Sequence, residues 1–181
     1  GTLEFFANKK GLEIKGNTKV KNLPVQANFS GSIEKDEAKF LEIDFNLSDQ
    51  ALELLPAGIP DIEISGFAPA KLSLQFLESK KVKFELTSSL NGIELSYLPI
   101  GWVKEMTEEA ELKVSGAIGN EFVLNNISFS SPDLVLVGSA VQQKDENFML
   151  NFKKLALEDV FDLQLIIEKE GVIEVTGGEL D

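Results

Sequence analysis

Residues 71–90 read KLSLQFLESKKVKFELTSSL. Leu72, Leu74 and Phe76 share one parity, with Lys71, Ser73 and Gln75 on the other. Beyond the polar ESKK, Val82, Phe84, Leu86, Ser88 and Leu90 alternate with Lys83, Glu85, Thr87 and Ser89. A period of two that restarts after a polar turn predicts an antiparallel hairpin with one apolar and one wet face.

The same alternation spreads outward from this hairpin. It appears in QANFSGSI, FLEIDFNL (Leu41, Ile43, Phe45, Leu47) and AELKVSGAI (Ala110, Leu112, Val114, Ile118), and it continues through EFVLNNISF, LVLVGSAV, NFMLNF, DLQLII and VIEVT. This amounts to about a dozen strands of 5–9 residues, far beyond the strand share of an average domain. The expected fold class is all-β with one or two short helices. LSDQALELLP, residues 47–56, offers Ser48 as N-cap and Pro56 as a stop and predicts a helix of about two turns. SYLPIGWVKEMTEE, residues 96–109, reads as a connection with one helical turn from Trp102, and 154–162 is ambiguous between strand and helix.

One phrase recurs: LEIKG at 12–16, IEISG at 62–66, LKVSG at 112–116 and IEVTG at 173–177. Each copy predicts one rung of a single long sheet, with approximate repeats beginning near 12, 62 and 112 in a chain read as one segment, 1–181. The terminal Gly of each phrase shares the parity of the apolar residues, as do Gly31 after Phe29 and Gly138 after Leu136. Gly16, Gly31, Gly66, Gly116, Gly138 and Gly177 therefore read either as points where an inward-curling sheet would crowd, or as ordinary bulges and strand ends.

An amphipathic sheet packs on a second sheet, closes as a barrel, or curls into a trough for an apolar guest. Periodicity alone leans to the β-sandwich, although inward Gly, Ala and Ser would leave gaps in a two-sheet core. A dozen strands at about 4.8 Å spacing would run for roughly 55 Å. An open apolar face of that size needs a ligand or a partner.

Composition narrows the function. Thirty acidic against seventeen basic residues give a formal charge of -13. That charge repels phosphate backbones and anionic membrane surfaces, so nucleic acid is excluded and any lipid contact must be apolar. With no His and no Cys, the commonest general base, the thiolate and the usual transition-metal ligands are missing, and neither a cofactor nor a metal site is expected. Glu158, Asp159 and Asp162 lack the ligand spacing of a calcium loop and read as a solvated turn. Asp133 after Ser130, Ser131 and Pro132 reads as turn chemistry rather than a catalytic diad, and Tyr97 and Trp102 as anchors of a loop on the core. The N-x-Ser sequons at Asn28, Asn46 and Asn126 fall in strand pattern. No apolar run approaches the roughly 18–20 residues of a spanning helix, so the chain as given is expected to be soluble. It opens on GTLEF already in strand pattern, the expectation for a piece of something longer.

The segments NLPVQANFSGSI (22–33), FLEIDFNLSDQALELLPAGIP (40–60), DIEISGFAPAKLSLQF (61–76), IGWVKEMTEEAELKVSG (100–116), LNNISFSSPDLVLVGSA (124–140) and the LALEDVFD turn resemble, in order and spacing, the AsmA-like proteins of Gram-negative bacteria, closest to the YhdP type. The sharpest elements are Gly101, Trp102 and Lys104, followed by Asp133, Leu134 and Gly138. Phe29 departs from the family, which often carries Trp in that strand. The resemblance implies a long, strongly curved antiparallel sheet forming an open β-groove. It also implies a periplasmic, inner-membrane-anchored, non-enzymatic protein that carries phospholipid or another acyl lipid toward the outer membrane. Membrane contact would lie in parts absent here, and envelope protein partners are possible. The residues expected to line the groove are Leu72, Leu74, Phe76, Val82, Phe84, Leu86, Leu112, Val114, Phe122, Leu124, Leu134 and Leu136.

Overall fold

The computed structural model describes residues 2–9, 11–32, 38–52, 62–97, 101–142, 148–158, 160–167 and 172–180. In chain order these form β1 (Leu3–Ala7), β2 (Gly11–Val20), β3 (Leu23–Ser32), β4 (Lys39–Leu47), α1 (Asp49–Leu52), β5 (Ile62–Gly66), β6 (Ala68–Phe76), β7 (Val82–Ser88), β8 (Ile93–Tyr97) and β9 (Trp102–Lys104). There follow β10 (Glu111–Ile118), β11 (Phe122–Ser130), β12 (Leu134–Gln142), β13 (Phe148–Leu157), β14 (Phe161–Ile167) and β15 (Ile173–Leu180). The protein is all-β: strands hold 75% of the described residues, about three times the share of an ordinary domain.

Twelve strands make one open antiparallel sheet in the order β1-β2-β3-β4-β6-β7-β10-β11-β12-β13-β14-β15. It is a meander, because each strand pairs with the next one in the chain that belongs to the sheet. The meander is interrupted twice, between β4 and β6 and between β7 and β10. Both excursions start from the same end of the strands, and they meet as a second sheet in the order β5-β8-β9. The hairpin of residues 71–90 lies between the two excursions, with Leu72 opposite Leu86, Leu74 opposite Phe84 and Phe76 opposite Val82.

The helix expected over 47–56 is present as Asp49–Leu52, with the Ser48 carbonyl accepting from the Ala51 and Leu52 amides. Residues 53–61 lie outside the described part. The helical turn expected from Trp102 is not formed. Trp102–Lys104 is strand β9, extended because Trp102 pairs with Tyr97 and Lys104 with Leu95. The ambiguous 154–162 resolves into the end of β13, a turn and the start of β14.

Register on the C-terminal half slips at three places. Asn125, Lys153 and Thr176 are extra residues in β11, β13 and β15, on every second strand. All three are exposed polar residues. Such bulges bend the strand that carries them and increase its twist, so this half of the sheet is curved rather than flat.

The core sits at one end of the strands. Its cluster comprises Leu23, Val25, Leu47, Ala51, Ala68, Ala70, Leu90, Ile93, Trp102, Ala110, Phe129 and Leu134, with Phe45, Leu86, Leu112, Leu136, Leu155 and others packed against it. The small sheet and α1 thus form a roof over that end of the large sheet's apolar face. A two-layer packing exists there and is limited by the three strands of its upper layer. The exposed surface, 11958 Å², is nearly two fifths above the roughly 8,700 Å² expected of a compact monomer of this mass.

An apolar floor with one roofed end

Strand register converts the alternation into rows that cross the sheet. One row runs Phe5, Ile14, Phe29, Leu41, Leu74, Phe84, Gly116, Leu124, Ala140, Leu150, Ile167, Ile173, each opposite the next. The row beside it runs Leu3, Gly16, Ala27, Ile43, Leu72, Leu86, Val114, Ile127, Gly138, Phe152, Leu165, Val175. Twelve strands contribute to each row, and none contributes a polar side chain to either. At 11 inter-strand steps of about 4.8 Å, each row is roughly 53 Å long.

The two rows differ in cover. The first contributes nothing to the core cluster, whereas Ile43 and Leu86 of the second pack against it. A third row, from Val25 and Phe45 through Ala70, Ser88, Leu112, Phe129, Leu136 and Leu155, lies under the roof. The floor is therefore closed along one margin and open along the other. Leu41, Leu74, Phe84 and Leu124 are half-buried, and Leu3, Phe5, Ile173 and Val175 at the sheet's two edges are 59–71% exposed. Outside the roofed cluster, Ala140 and Leu165 are nonetheless buried.

The roof is latched by Trp102. Its ring meets Phe129 edge to face at 5.5 Å, and its Nε1–H donates to Asp133 Oδ2 at 3.0 Å. The other Asp133 oxygen accepts from the Ser131 hydroxyl at 2.8 Å, and the Leu134 amide donates to Ser131 Oγ at 3.0 Å. Asp133 is thus a turn residue that also anchors the roof, and Trp102 is a core anchor. Tyr97 packs partly buried against the same cluster. Lys104 is fully buried, its Nζ donating to the carbonyls of Ile93 at 2.9 Å and Glu105 at 2.8 Å. Burial holds its ammonium below the usual lysine range, while nearby Glu108 acts the other way. Sequence reasoning missed Lys104 as a buried lock, since nothing local marks a lysine for burial.

Of the expected lining residues, Leu72, Leu74, Phe76, Val82, Phe84, Val114, Phe122 and Leu124 lie on the floor, with Phe84 and Phe122 stacked at 5.8 Å. Leu86 and Leu112 sit at the roof's edge. Leu134 belongs to the roofed core and is buried, and Leu136, partly buried, packs against it.

The glycines separate in the same way. Gly16, Gly116 and Gly138 stand in the second and first rows, as expected. At Gly116 a Cβ would collide with the Val123 carbonyl and approach the Phe84 ring to 3.0 Å, and at Gly138 it would meet the Phe152 ring at 2.8 Å. Gly31 follows Phe29 on the floor side, opposite Leu12. Gly66 is not a rung of the large sheet: IEISG is β5 of the roof, and Gly66 turns the chain into β6 at φ 86°. Gly177 is also displaced. The bulge at Thr176 sets it opposite Gln164 on the polar face and brings Gly178 opposite Leu163 instead.

The opposite face is polar over most of its area, with rows such as Gln26, Asp44, Lys71, Thr87, Lys113. Exposed ion pairs cross it, Glu85–Lys113 at 2.9 Å, Lys154–Asp162 at 3.3 Å and Asp44–Lys71 at 3.7 Å, each worth no more than about 1 kcal/mol. A depression of about 900 Å³ at the roofed end is lined by the polar-face residues Asn17, Gln26, Asp44, Lys71, Thr87 and Lys113 together with Val25, Phe45, Ala70 and Leu112 of the roofed row. It includes no residue of the two long apolar rows. Among the described residues no cluster of carboxylates has metal-binding form; Asp162 pairs with Lys154 and Asp159 lies outside the described part. No helix of the described residues is long and apolar enough to cross a membrane.

No family model, curated protein or solved structure matches the chain.

Proposed function

We propose that the large sheet is a non-enzymatic lipid-carrying surface, one segment of a bridge-like lipid-transfer protein of the AsmA-like type acting between the inner and outer membranes. The observation that carries this reading is the pair of twelve-position apolar rows that cross the whole sheet without a polar break and, among the described residues, lack a full second layer. A surface of that extent exceeds what a monomer in water leaves bare, so it calls for an apolar occupant. Acyl chains suit it better than a folded partner, because the rows present a continuous smooth strip rather than a pocket for one anchoring side chain. The mechanism is passive: hydrocarbon lies along the rows, the roof blocks one margin, and headgroups stay in water at the other.

Native mass spectrometry of the gently purified chain tests it. The expected spectrum contains adducts at phospholipid mass that vanish after delipidation and return on incubation with phospholipid vesicles. A lipid-free spectrum before and after incubation would rule the reading out and leave a structural or protein-binding sheet in its place.

A further inference from the structure

The margin opposite the roof has a chemical character of its own. A third floor row reaches it, running Lys39, Phe76, Val82, Ile118, Phe122 in register. Lys39 is the one charged residue in any of the registered floor rows among the described residues. Its pairing with Phe76 sets it on the apolar side, and a Cβ at Gly31 would stand 3.2 Å from the Lys39 stem. Lys80 and Lys81 stand at the same margin in the turn between β6 and β7, and a Cβ at Gly119 of the next turn would come within 3.0 Å of the Lys81 stem. All three lysines are exposed, and among the described residues none has a carboxylate partner. Glu78 stands in the same turn as Lys80 and Lys81, Glu121 in the next, and Glu34, Asp36 and Glu37 precede Lys39 in the sequence, so the cationic character is that of the three lysines rather than of the whole margin. The connections at the roofed margin carry Glu105, Glu108, Glu109, Asp133 and Glu158 against Lys21.

We propose that Lys39, supported by Lys80 and Lys81, holds the anionic headgroup of a phospholipid whose acyl chains lie over Phe76, Val82 and Ile118. The inference rests on the lipid reading above and adds to it the margin at which the headgroup sits and the sign of its charge. A lysine at the rim of an apolar strip offers its methylenes to the chains and its ammonium to the phosphate. The protein's overall charge of -13 does not cancel this. From Lys39 to the far end of β4 is eight residue steps, about 26 Å, and the acidic margin lies beyond that distance. At about 0.1 M salt the screening length is roughly 10 Å, so the acidic margin is largely screened from the headgroup.

The test incubates the protein with vesicles of equimolar dioleoyl phosphatidylglycerol and dioleoyl phosphatidylcholine and counts the adducts of each by native mass spectrometry. One exposed ion contact supports up to roughly a fivefold preference for the anionic lipid. Lys39→Met should bring the two lipids to parity without lowering total uptake, whereas Lys113→Met, on the polar face, should leave the preference intact. Both sites are exposed, and an unchanged thermal melt verifies that each variant is folded. Equal uptake of the two lipids by the wild type, or a preference that survives Lys39→Met, overturns the headgroup site alone. Absence of both lipids overturns the lipid reading as well.

Discussion

Placing a carboxylate on the floor and under the roof should give two different proteins. Leu74 lies in the row outside the roofed cluster, half-buried, while Ile93 of β8 has no exposed surface at all. Leu74→Asp gives up part of a leucine's burial, about 1–2 kcal/mol, and the new carboxylate still reaches water. For a chain of this size that lowers the melting temperature by about 2–8 °C. Ile93→Asp loses a whole buried side chain, about 2–5 kcal/mol, and adds the cost of desolvating a carboxylate in the core, several kcal/mol more. The total reaches the whole stability of a typical domain. Far-UV circular dichroism against temperature should therefore show a cooperative melt for Leu74→Asp and none for Ile93→Asp. Native mass spectrometry of Leu74→Asp should show reduced lipid on a folded protein. If Leu74→Asp loses its melt as completely as Ile93→Asp, the first row is covered within the protein and the open floor does not exist.

Three further outcomes follow from single contacts. Gly138→Ala should cost several kcal/mol in denaturant unfolding, because its Cβ meets backbone at Asn151 O (2.7 Å) as well as the Phe152 ring, whereas Gly177→Ala, with nothing nearer than 3.6 Å, should be neutral or stabilise by about 0.5 kcal/mol. Trp102→Phe keeps the edge contact with Phe129 but strands Asp133 Oδ2, and should lower stability by about 1–3 kcal/mol, measured by urea midpoint. Lys104 sets a pH signature: its folded pKa is lowered, so the unfolded chain holds that proton more tightly, and the burial penalty fades as pH rises from the lowered value toward 10.5. The wild type should therefore gain stability relative to Lys104→Met across that window in parallel urea titrations, and a difference that is flat with pH would contradict a charged, buried Lys104.

The hairpin of 71–90 was fully legible, because both of its strands stay in one sheet and alternation alone sets their pairing. The roof was not. IEISG at 62–66 has the same period and composition as LEIKG at 12–16, and nothing local says that one joins the large sheet and the other leaves it. What separates them is remote: the turn at Gly66, a buried Leu90 at φ 52°, and the contact of Trp102 with Asp133 thirty-one residues away. The tripeptide Trp102–Lys104 reads locally as the start of a helical turn in a connection, yet pairing with β8 makes it a strand. The bulges did leave a trace. Leu124 and Ile127, like Phe152 and Leu155, are three apart instead of two, so a break of parity marks each bulge, and the same break at Thr176 moved the inward glycine from 177 to 178.

The two edges of the sheet bear on what completes it. β1 exposes Leu3, Phe5 and Phe6, and β15 exposes Ile173 and Val175, each beside unpaired backbone groups. Such edges invite a further strand. With an even number of strands in an antiparallel sheet, the first and last run in opposite directions, so β15 could meet the β1 edge of a like unit antiparallel and continue both apolar rows, Ile173 toward Phe5 and Val175 toward Leu3. The polar side discriminates among candidates for that place. Glu4 and Glu174 occupy the positions between those pairs, and two carboxylates directly opposite are destabilising. A second copy of this chain would put them face to face, whereas a strand carrying Lys or Arg at that position would extend the floor and neutralise the edge together. The sequence thus disfavours stacking with itself while leaving both apolar rows able to continue onto a different strand that carries a basic residue at that position.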